Sequence, residues 1–385
     1  MPLGLLQRKP DSGLGNIRSS PAAPGRNVDW VLLLAQGALT IIGCLVVYSA
    51  TRTRRADPFF FTFRQVIFAI VATVVLVAVM SIDYDFFRAR AGWIYLGTIG
   101  LLMLLLAMKR ITGDRTLIAF DLGPINVQPA EVAKFAVLVA LAAYLHEDQT
   151  DEVSYVRFIG GLILVGVAAM LVVLQPDLGS ASVLIAMAMG VLLVAGAKAK
   201  YIAAYTLLAV LTVVVAVAGQ LVNDYQLSRI RVFFDESNPQ LRNDAYQVNL
   251  ALDALGTGGL FGKGWLKGPL TNDGDIPVLW ADFPFAALGE QFGLVGGAVV
   301  VSLFVVVLVR IWRIAHLSRD RFGTYICAGV FSMLIWQIFQ NVGMTVKLLP
   351  VTGLPLPFIS YGGSGLMMWF ALFGLVQSVH MRRMR

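Results

Sequence analysis

The chain has 385 residues, of which 58% are hydrophobic and only 14% are charged, and its formal net charge is +7. Soluble domains carry about 25% charged residues, so this composition excludes an ordinary soluble enzyme, and hydrophobic runs that are continuous rather than alternating exclude a membrane β-barrel. The basic residues lie mostly in short loops between apolar runs, where they indicate membrane topology and lipid-phosphate contacts rather than a nucleic-acid surface.

Residues 1–27 are rich in Pro, Gly, Ser and Arg and are predicted to form a disordered cytoplasmic N-terminus. Residues 28–385 are predicted to form a single all-α membrane domain. A helix needs about 20 apolar residues to cross a bilayer, and the apolar runs predict about ten transmembrane helices. These are 28–50, 61–80, 91–107, 130–145, 157–175, 177–195, 200–222, 284–310, 323–345 and 364–379. An even number of crossings places both termini on the same side.

The distribution of Lys and Arg indicates which side that is. With both termini in the cytoplasm, the inner segments hold most of the basic residues, as cytoplasmic loops usually do. The bias therefore predicts that both termini are cytoplasmic. A smaller set stays outside, and it makes the first outer loop basic: Arg52, Arg54, Arg55, Arg64, Lys109, Arg110, Arg115 and Lys347.

Two connections, 108–129 and 223–283, are longer than packed helices need, and long connections in a tight bundle are often functional. The second is the large extracytoplasmic loop between the seventh and eighth helices. It contains a helix-like stretch, Tyr246–Leu255, followed by the glycine-rich stretch Gly256–Trp265. This pattern predicts a re-entrant or interfacial helix and then an ordered loop.

Helices that enter from outside begin with a carboxylate near a proline. Proline suits the first turn and an acid complements the helix dipole, so each case alone is explained by capping. Carboxylates in a membrane are costly and tend to mark function, so several of them on one face indicate a shared polar cavity. The starts are Asp57-Pro58, Pro129-Ala-Glu131, Pro176-Asp177 and Asp282-Phe-Pro284.

Cationic side chains also fall on the outer side. Lys134 lies three residues after Glu131 on one helix face, either as an internal ion pair or as a substrate contact. Lys263 stands among glycines, whose backbone N–H groups approach phosphate closely. Thr257 and Gly264 break the P-loop pattern, which speaks against a nucleoside triphosphate.

The segment Asn341–Ser364 (NVGMTVKLLPVTGLPLPFISYGGS) resembles the C-terminal signature of the SEDS proteins (shape, elongation, division, sporulation). Gly262-Lys-Gly-Trp-Leu266 is similar to the RodA (elongation) branch of that family. Before its Asp-Phe the family usually has Pro-Glu and His-Thr, whereas this chain has Ile276–Ala281 (IPVLWA). Further matches occur in family order: Leu122-Gly-Pro, Gln128-Pro-Ala-Glu-Val-Ala-Lys134, Gln175-Pro-Asp-Leu-Gly179, Tyr246-Gln, Gly256-Thr-Gly-Gly-Leu-Phe-Gly262, Asp282-Phe and Gly289-Glu290.

The resemblance implies a RodA-type peptidoglycan glycosyltransferase in the bacterial inner membrane. It implies that the substrate is lipid II, a disaccharide-peptide on undecaprenyl pyrophosphate, and that the partner is a class B penicillin-binding protein. The family's essential acid falls on Asp282, as general base or as ligand of a divalent cation, Mg²⁺ or Mn²⁺, and no organic cofactor is expected. Residues expected to contact substrate are Gln128, Glu131, Lys134, Arg115, Asp177 and Lys263.

Two other functions stay open from the sequence. A lipid II flippase or transporter also fits many helices with proline-broken segments and buried charge, although its charged residues belong at the bilayer midplane rather than at the outer surface. A non-catalytic scaffold for the transpeptidase is the other alternative, and it would tolerate the loss of Asp282.

Overall fold

Helices form nearly all of the regular structure. A computed structural model of the chain describes residues 24–113, 118–121, 126–147, 153–218, 233, 242–272 and 278–384. The seven helices of the first half are α1 (Trp30–Thr51), α2 (Phe60–Ser81), α3 (Tyr84–Thr112), α4 (Pro129–His146), α5 (Tyr155–Leu174), α6 (Leu178–Val194) and α7 (Ala199–Ala218). The helices that follow are α8 (Arg242–Thr257), α9 (Pro269–Asn272), α10 (Leu279–Asp282), α11 (Pro284–His316), α12 (Arg321–Thr345) and α13 (Gly363–Met381). A two-residue antiparallel pair, β1 (Phe120–Asp121) with β2 (Asn126–Val127), lies between α3 and α4.

The all-α class is confirmed, and each segment predicted to cross the membrane coincides with a helix of the structure. Within the described ranges, eight helices, α1 to α5 and α11 to α13, are long and apolar enough to cross a bilayer, so the chain is a multi-pass membrane protein. Helix α6 is apolar but has only 17 residues. The predicted tail up to residue 23 and most of 219–241 lie outside the described residues, and so do most side chains in the second half of α7.

Side-chain caps explain where several helices begin. Asp29 Oδ1 accepts the Leu32 N–H of α1 at 3.0 Å, and Asp177 Oδ1 accepts the Ser180 N–H of α6 at 2.8 Å. Such caps satisfy backbone donors that have no partner within the helix. Capping is therefore part of the role of the acid in Pro176-Asp177.

The centre of the bundle is formed by α4, α12 and α13, which are the most buried of the eight apolar helices. Close approach depends on small residues, as is usual between membrane helices. A Cβ added to Gly329 of α12 would lie 2.2 Å from Cδ1 of Leu138 on α4. This packing holds α4, the helix with the Glu131 motif, rigidly inside the bundle.

One end of the bundle is tied by charged groups. Arg310 at the end of α11 pairs with Asp29 before α1 at 2.6 Å, and Gln377 of α13 accepts the Asp29 N–H at 3.1 Å. Arg88 of α3 contacts His146 at the end of α4 at 3.0 Å. All these segments are predicted to be cytoplasmic, so the predicted alternation of helices agrees with the contacts at this end.

Candidate active site

At the other end of the bundle, the segment 346–362 between α12 and α13 folds back among the helices. Leu356, Phe358 and Ile359 are only 1–2% exposed. A Cβ on Gly43, well inside α1, would lie 2.5 Å from the Phe358 carbonyl oxygen, so only glycine allows this approach. Most of the SEDS-like signature is therefore non-helical, and its residues 356–360 are buried among the helices.

Buried amide side chains satisfy the backbone of this segment. Gln65 of α2 donates to the Ser360 carbonyl at 3.2 Å, Gln337 of α12 donates to the Pro355 carbonyl at 2.8 Å, and Asn341 donates to the Leu354 carbonyl at 2.8 Å. Non-helical backbone at membrane depth is tolerated only when such partners exist. Gln65 and Gln337 were not predicted as functional residues, although an amide in an otherwise apolar helix is a signal that the sequence carries for both.

The same segment fixes the position of Asp282. This residue ends the one-turn helix α10, which follows Val278 in a left-handed conformation (φ 54°). Asn341 Nδ2 donates to the Asp282 carbonyl at 2.8 Å, and the Tyr361 N–H donates to the Trp280 carbonyl at 2.9 Å. The backbone of Asp282 is thus held on two sides while its side chain stays partly exposed.

Gln128 and Asp177 are brought into direct contact. Gln128 Nε2 donates to Asp177 Oδ2 at 2.9 Å, which joins the starts of α4 and α6. The Gln128 N–H also donates to Ser364 Oγ at 3.2 Å. Because Ser364 is three residues beyond Tyr361, the Gln128 and Asp282 motifs lie on either side of one short stretch of backbone. The carboxylate-bearing helix starts at 129, 177 and 282 therefore meet at the same end of the bundle.

Glu131 and Lys134 form a buried ion pair. Lys134 Nζ lies 2.6 Å from Glu131 Oε1, and the two side chains are 1% and 4% exposed, respectively. In the described part of the chain, the second carboxylate oxygen, Oε2, is buried without a hydrogen-bond partner. A Cβ on Gly365 would lie 3.7 Å from that oxygen, so it faces the start of α13 next to Ser364.

Lys263 is also paired with a carboxylate. Its Nζ lies 3.5 Å from Oε1 of Glu290, whose side chain is fully buried and also accepts the N–H groups of Leu270 at 3.1 Å and Thr271 at 2.8 Å. Glu290 therefore anchors α9 as well as Lys263. The structure gives Lys263 a structural partner that was not visible in the sequence.

The glycine-rich loop packs into a kink of α11. Gly293 interrupts that helix with φ 66° and ψ −162°. The backbone carbonyls of Glu290 and Gln291, just before this break, accept the N–H groups of Lys263 at 2.9 Å and Gly264 at 3.0 Å, respectively. A Cβ on Gly262 would lie 2.2 Å from the Gln291 carbonyl oxygen. These glycines serve close backbone packing, and the N–H groups at 263 and 264 already have partners.

Of the basic residues predicted to contact substrate, Lys134 and Lys263 lie within the described residues. Arg115 lies outside the described residues. Among the residues that the structure describes, no three His, Cys, Asp or Glu side chains come together as a metal site. The divalent cation that Asp282 was expected to bind therefore stays a prediction, with no group of three such ligands in this part of the chain to hold it.

Comparison with known proteins gives matches along almost the whole chain. A family model described as "Cell cycle protein", for FtsW, RodA and SpoVE, matches residues 29–385. The stage V sporulation protein E of Bacillus subtilis (strain 168) is 33% identical over 360 residues, covering 91% of this chain and 96% of that protein. The peptidoglycan glycosyltransferase MrdB of Escherichia coli (strain K12) is 32% identical over 360 residues, covering 93% of this chain and 94% of that protein.

Solved structures match over the same extent. The crystal structure of the rod shape determining protein RodA of Thermus thermophilus has a TM-score of 0.68 and 26% identity, covering 93% of this chain and 98% of that one. A chain from the structure titled "Structural coordination of polymerization and crosslinking by a peptidoglycan synthase complex" has a TM-score of 0.77 and 25% identity. The match covers 93% of this chain and 99% of that one. The similarity therefore concerns the entire fold.

Proposed function

The chain belongs to the FtsW/RodA/SpoVE family, the SEDS proteins, and from this membership we propose that it is a peptidoglycan glycosyltransferase that polymerises lipid II into glycan strands. The observation that carries the proposal is the placement of Asp282. Its backbone is held by Asn341 and by the 346–362 segment, and its side chain is partly exposed at the end of the bundle where Gln128 and Asp177 also meet. A partly exposed acid whose backbone is held by a rigid frame is what general-base chemistry requires.

The chain acts in the RodA manner, during cell elongation, with a class B penicillin-binding protein as the transpeptidase. Overall identity does not distinguish the branches, because the values for MrdB and for the sporulation protein differ by only one percentage point. The support for the RodA branch comes from the Gly262–Leu266 sequence. A structure whose title names a peptidoglycan synthase complex matches 93% of the chain, which supports a partner in the same process.

The reaction is an inverting glycosyl transfer. A sugar hydroxyl of the acceptor attacks the anomeric carbon of the lipid-linked donor, the bond from that carbon to the phosphate oxygen breaks, and the pyrophosphate leaves as an anion. The hydroxyl proton passes to the Asp282 carboxylate, and a base of this kind contributes about 10²–10⁴-fold to the rate. Gln128, Asp177, Glu131 and Lys134 line the same end of the bundle and bind the sugar and phosphate groups. Cations near the leaving group stabilise its charge.

Purified protein given lipid II tests this activity. We expect glycan strands in the reaction with the penicillin-binding partner, and fewer or shorter strands without it, detected by gel separation of labelled product. A parallel assay for lipid II transfer across vesicle membranes separates the alternatives. Transfer without strands would favour a flippase, and neither transfer nor strands from a folded, partner-bound protein would favour a scaffold.

The proposed location is the bacterial inner membrane with both termini cytoplasmic and 223–283 outside. Cysteines introduced at Asn238, which lies outside the described residues, and at Ser318, between α11 and α12, report on this topology. In a background lacking Cys44 and Cys327, we expect an impermeant thiol reagent to label position 238 in intact spheroplasts and position 318 only after lysis. The reverse pattern would place Asp282 on the cytoplasmic side and overturn the proposed site.

A further inference from the structure

The two lysines predicted to serve the pyrophosphate already have partners. Lys134 is 2.6 Å from Glu131, and Lys263 is 3.5 Å from Glu290. A cation that neutralises a buried carboxylate contributes less net charge to a ligand, because the field of the pair falls off faster than that of a single charge. The leaving group of the proposed reaction therefore needs other cations close to Asp282.

Two arginines of the α1–α2 loop lie in this position. The guanidinium carbon of Arg54 is 4.5 Å from the ring centroid of Trp280, which lies two residues before Asp282 in the same helical turn. The guanidinium carbon of Arg55 is 4.2 Å from the Phe60 ring. Arg54 thus reaches the Asp282 turn from a different part of the chain, and Arg55 lies against Phe60 and Phe61, the second of which contacts Trp280.

Aromatic rings join these contacts into one surface, which we call the arginine shelf: Arg54, Arg55, Phe60, Phe61 and Trp280. The Phe61 ring lies 5.6 Å from the Trp280 ring and 5.3 Å from the Phe60 ring. The α1–α2 loop is also fastened to the 258–282 region, since Arg52 donates to the Leu266 carbonyl at 3.1 Å. The shelf is therefore fixed relative to Asp282 by both side chains and backbone.

The charge of Arg55 is available to a ligand. Arg55 is exposed, and within the described ranges its guanidinium has no carboxylate partner within 4.0 Å. Stacking on a ring uses the face of a guanidinium and leaves its in-plane N–H donors directed outward, the geometry that binds phosphate bidentately.

Two sequence features gain an explanation. Basic residues are disfavoured in outer loops, so arginines that remain in the first outer loop call for a reason other than topology. The residues before Asp282 depart from the usual family pattern, and the departing residue Trp280 is the one that Arg54 stacks on. The loop charge and the altered motif therefore form a single structural unit in this chain.

We propose that the arginine shelf binds a lipid phosphate group beside Asp282, and that this group is the diphosphate of the polyprenyl-linked substrate. The inference rests on the proposed function, because that function supplies the diphosphate. The same chemistry would also accept the phosphate of an anionic phospholipid headgroup, which the experiment distinguishes from a diphosphate.

Direct binding of radiolabelled undecaprenyl diphosphate to the full chain in phosphatidylcholine nanodiscs tests the shelf. We expect Arg54→Gln and Arg55→Gln each to weaken binding about tenfold, because each removes charge-assisted hydrogen bonds to phosphate. Arg90→Gln is the matched control, since Arg90 is exposed and stacks at 3.8 Å on Phe86 at the opposite end of the bundle. That variant should bind like wild type, and added salt should weaken wild-type binding more than binding by the two shelf variants.

Different negative results identify different errors in the proposal. Arg54→Lys keeps the charge and should lose less affinity than Arg54→Gln, whereas equal losses with a lowered melting temperature would show that Arg54 only supports Trp280. In another outcome, phosphatidylglycerol raises strand synthesis by the wild type and not by the shelf variants, while undecaprenyl diphosphate binds all of them equally. In that case the shelf is a headgroup site and the proposal is wrong. Wild-type protein that binds the diphosphate but makes no strands would overturn the glycosyltransferase function and leave this inference standing.

Discussion

Asparagine in place of Asp282 is expected to abolish glycan strand formation while leaving insertion, folding and partner binding intact. Asparagine keeps the size and most hydrogen-bonding capacity of the side chain but cannot take the acceptor's proton. The backbone of residue 282 is held by Asn341 and within α10, and these backbone contacts do not require a carboxylate. The loss should therefore be of orders of magnitude, in line with the about 10²–10⁴-fold contribution of a general base.

The measurement is strand synthesis by purified Asp282→Asn protein, bound to its penicillin-binding partner and given lipid II. Asp57→Asn is the control, because Asp57 also precedes a proline, and its Oδ1 accepts the Phe59 N–H at 2.9 Å at the start of α2. Asparagine caps helices about as well as aspartate, so Asp57→Asn should retain activity. Strands made at near wild-type rate by Asp282→Asn would contradict the catalytic role and favour the flippase.

A capping role for Asp282 predicts a different pattern. Replacing a capping residue by alanine costs about 1 kcal/mol of stability and has little other effect. The residue at the cap position of α11 is Phe283, which makes no side-chain cap bond. The catalytic role predicts that Asp282→Ala keeps most of its stability and is as inactive as Asp282→Asn.

The helices could be predicted from the sequence because each depends on local composition. Runs of apolar residues bounded by Asp, Pro and Gly gave helix positions close to the observed ones, as at Pro129 and Pro284. The inward path of 346–362 could not be predicted in this way. Its backbone is satisfied by Gln65, nearly 300 residues away in sequence, and its close packing depends on Gly43 in α1.

The candidate site was predicted as a set of residues but not as a set of contacts. Gln128 and Asp177 were both expected near substrate, yet their mutual hydrogen bond depends on how α4 and α6 pack. The pairing of Lys263 with Glu290 arises from the Gly293 kink in α11, which a local pattern does not encode. The basic first outer loop was visible only as an exception to the topology rule, because its contact with Trp280 is long-range.

Removing either member of the Glu131–Lys134 pair is expected to destabilise the protein strongly. The two side chains are almost completely buried and 2.6 Å apart, so a single substitution leaves one charge in the bundle without its partner. Breaking a buried pair in this way costs about 3–5 kcal/mol. Glu131→Gln and Lys134→Met should each lower the melting temperature and the yield of folded protein, and each should impair strand synthesis.

The double variant separates support of the fold from contact with substrate. With both charges removed, no uncompensated charge remains, and neutral replacement of a buried pair is often well tolerated. Glu131→Gln/Lys134→Met should therefore regain most of the melting temperature. We expect it to stay inactive, because Glu131 Oε2, buried and without a partner in the described part of the chain, faces Gly365 beside the Gln128 contact and is placed to accept a substrate hydrogen bond. Recovery of strand synthesis together with stability would show that the pair is only structural.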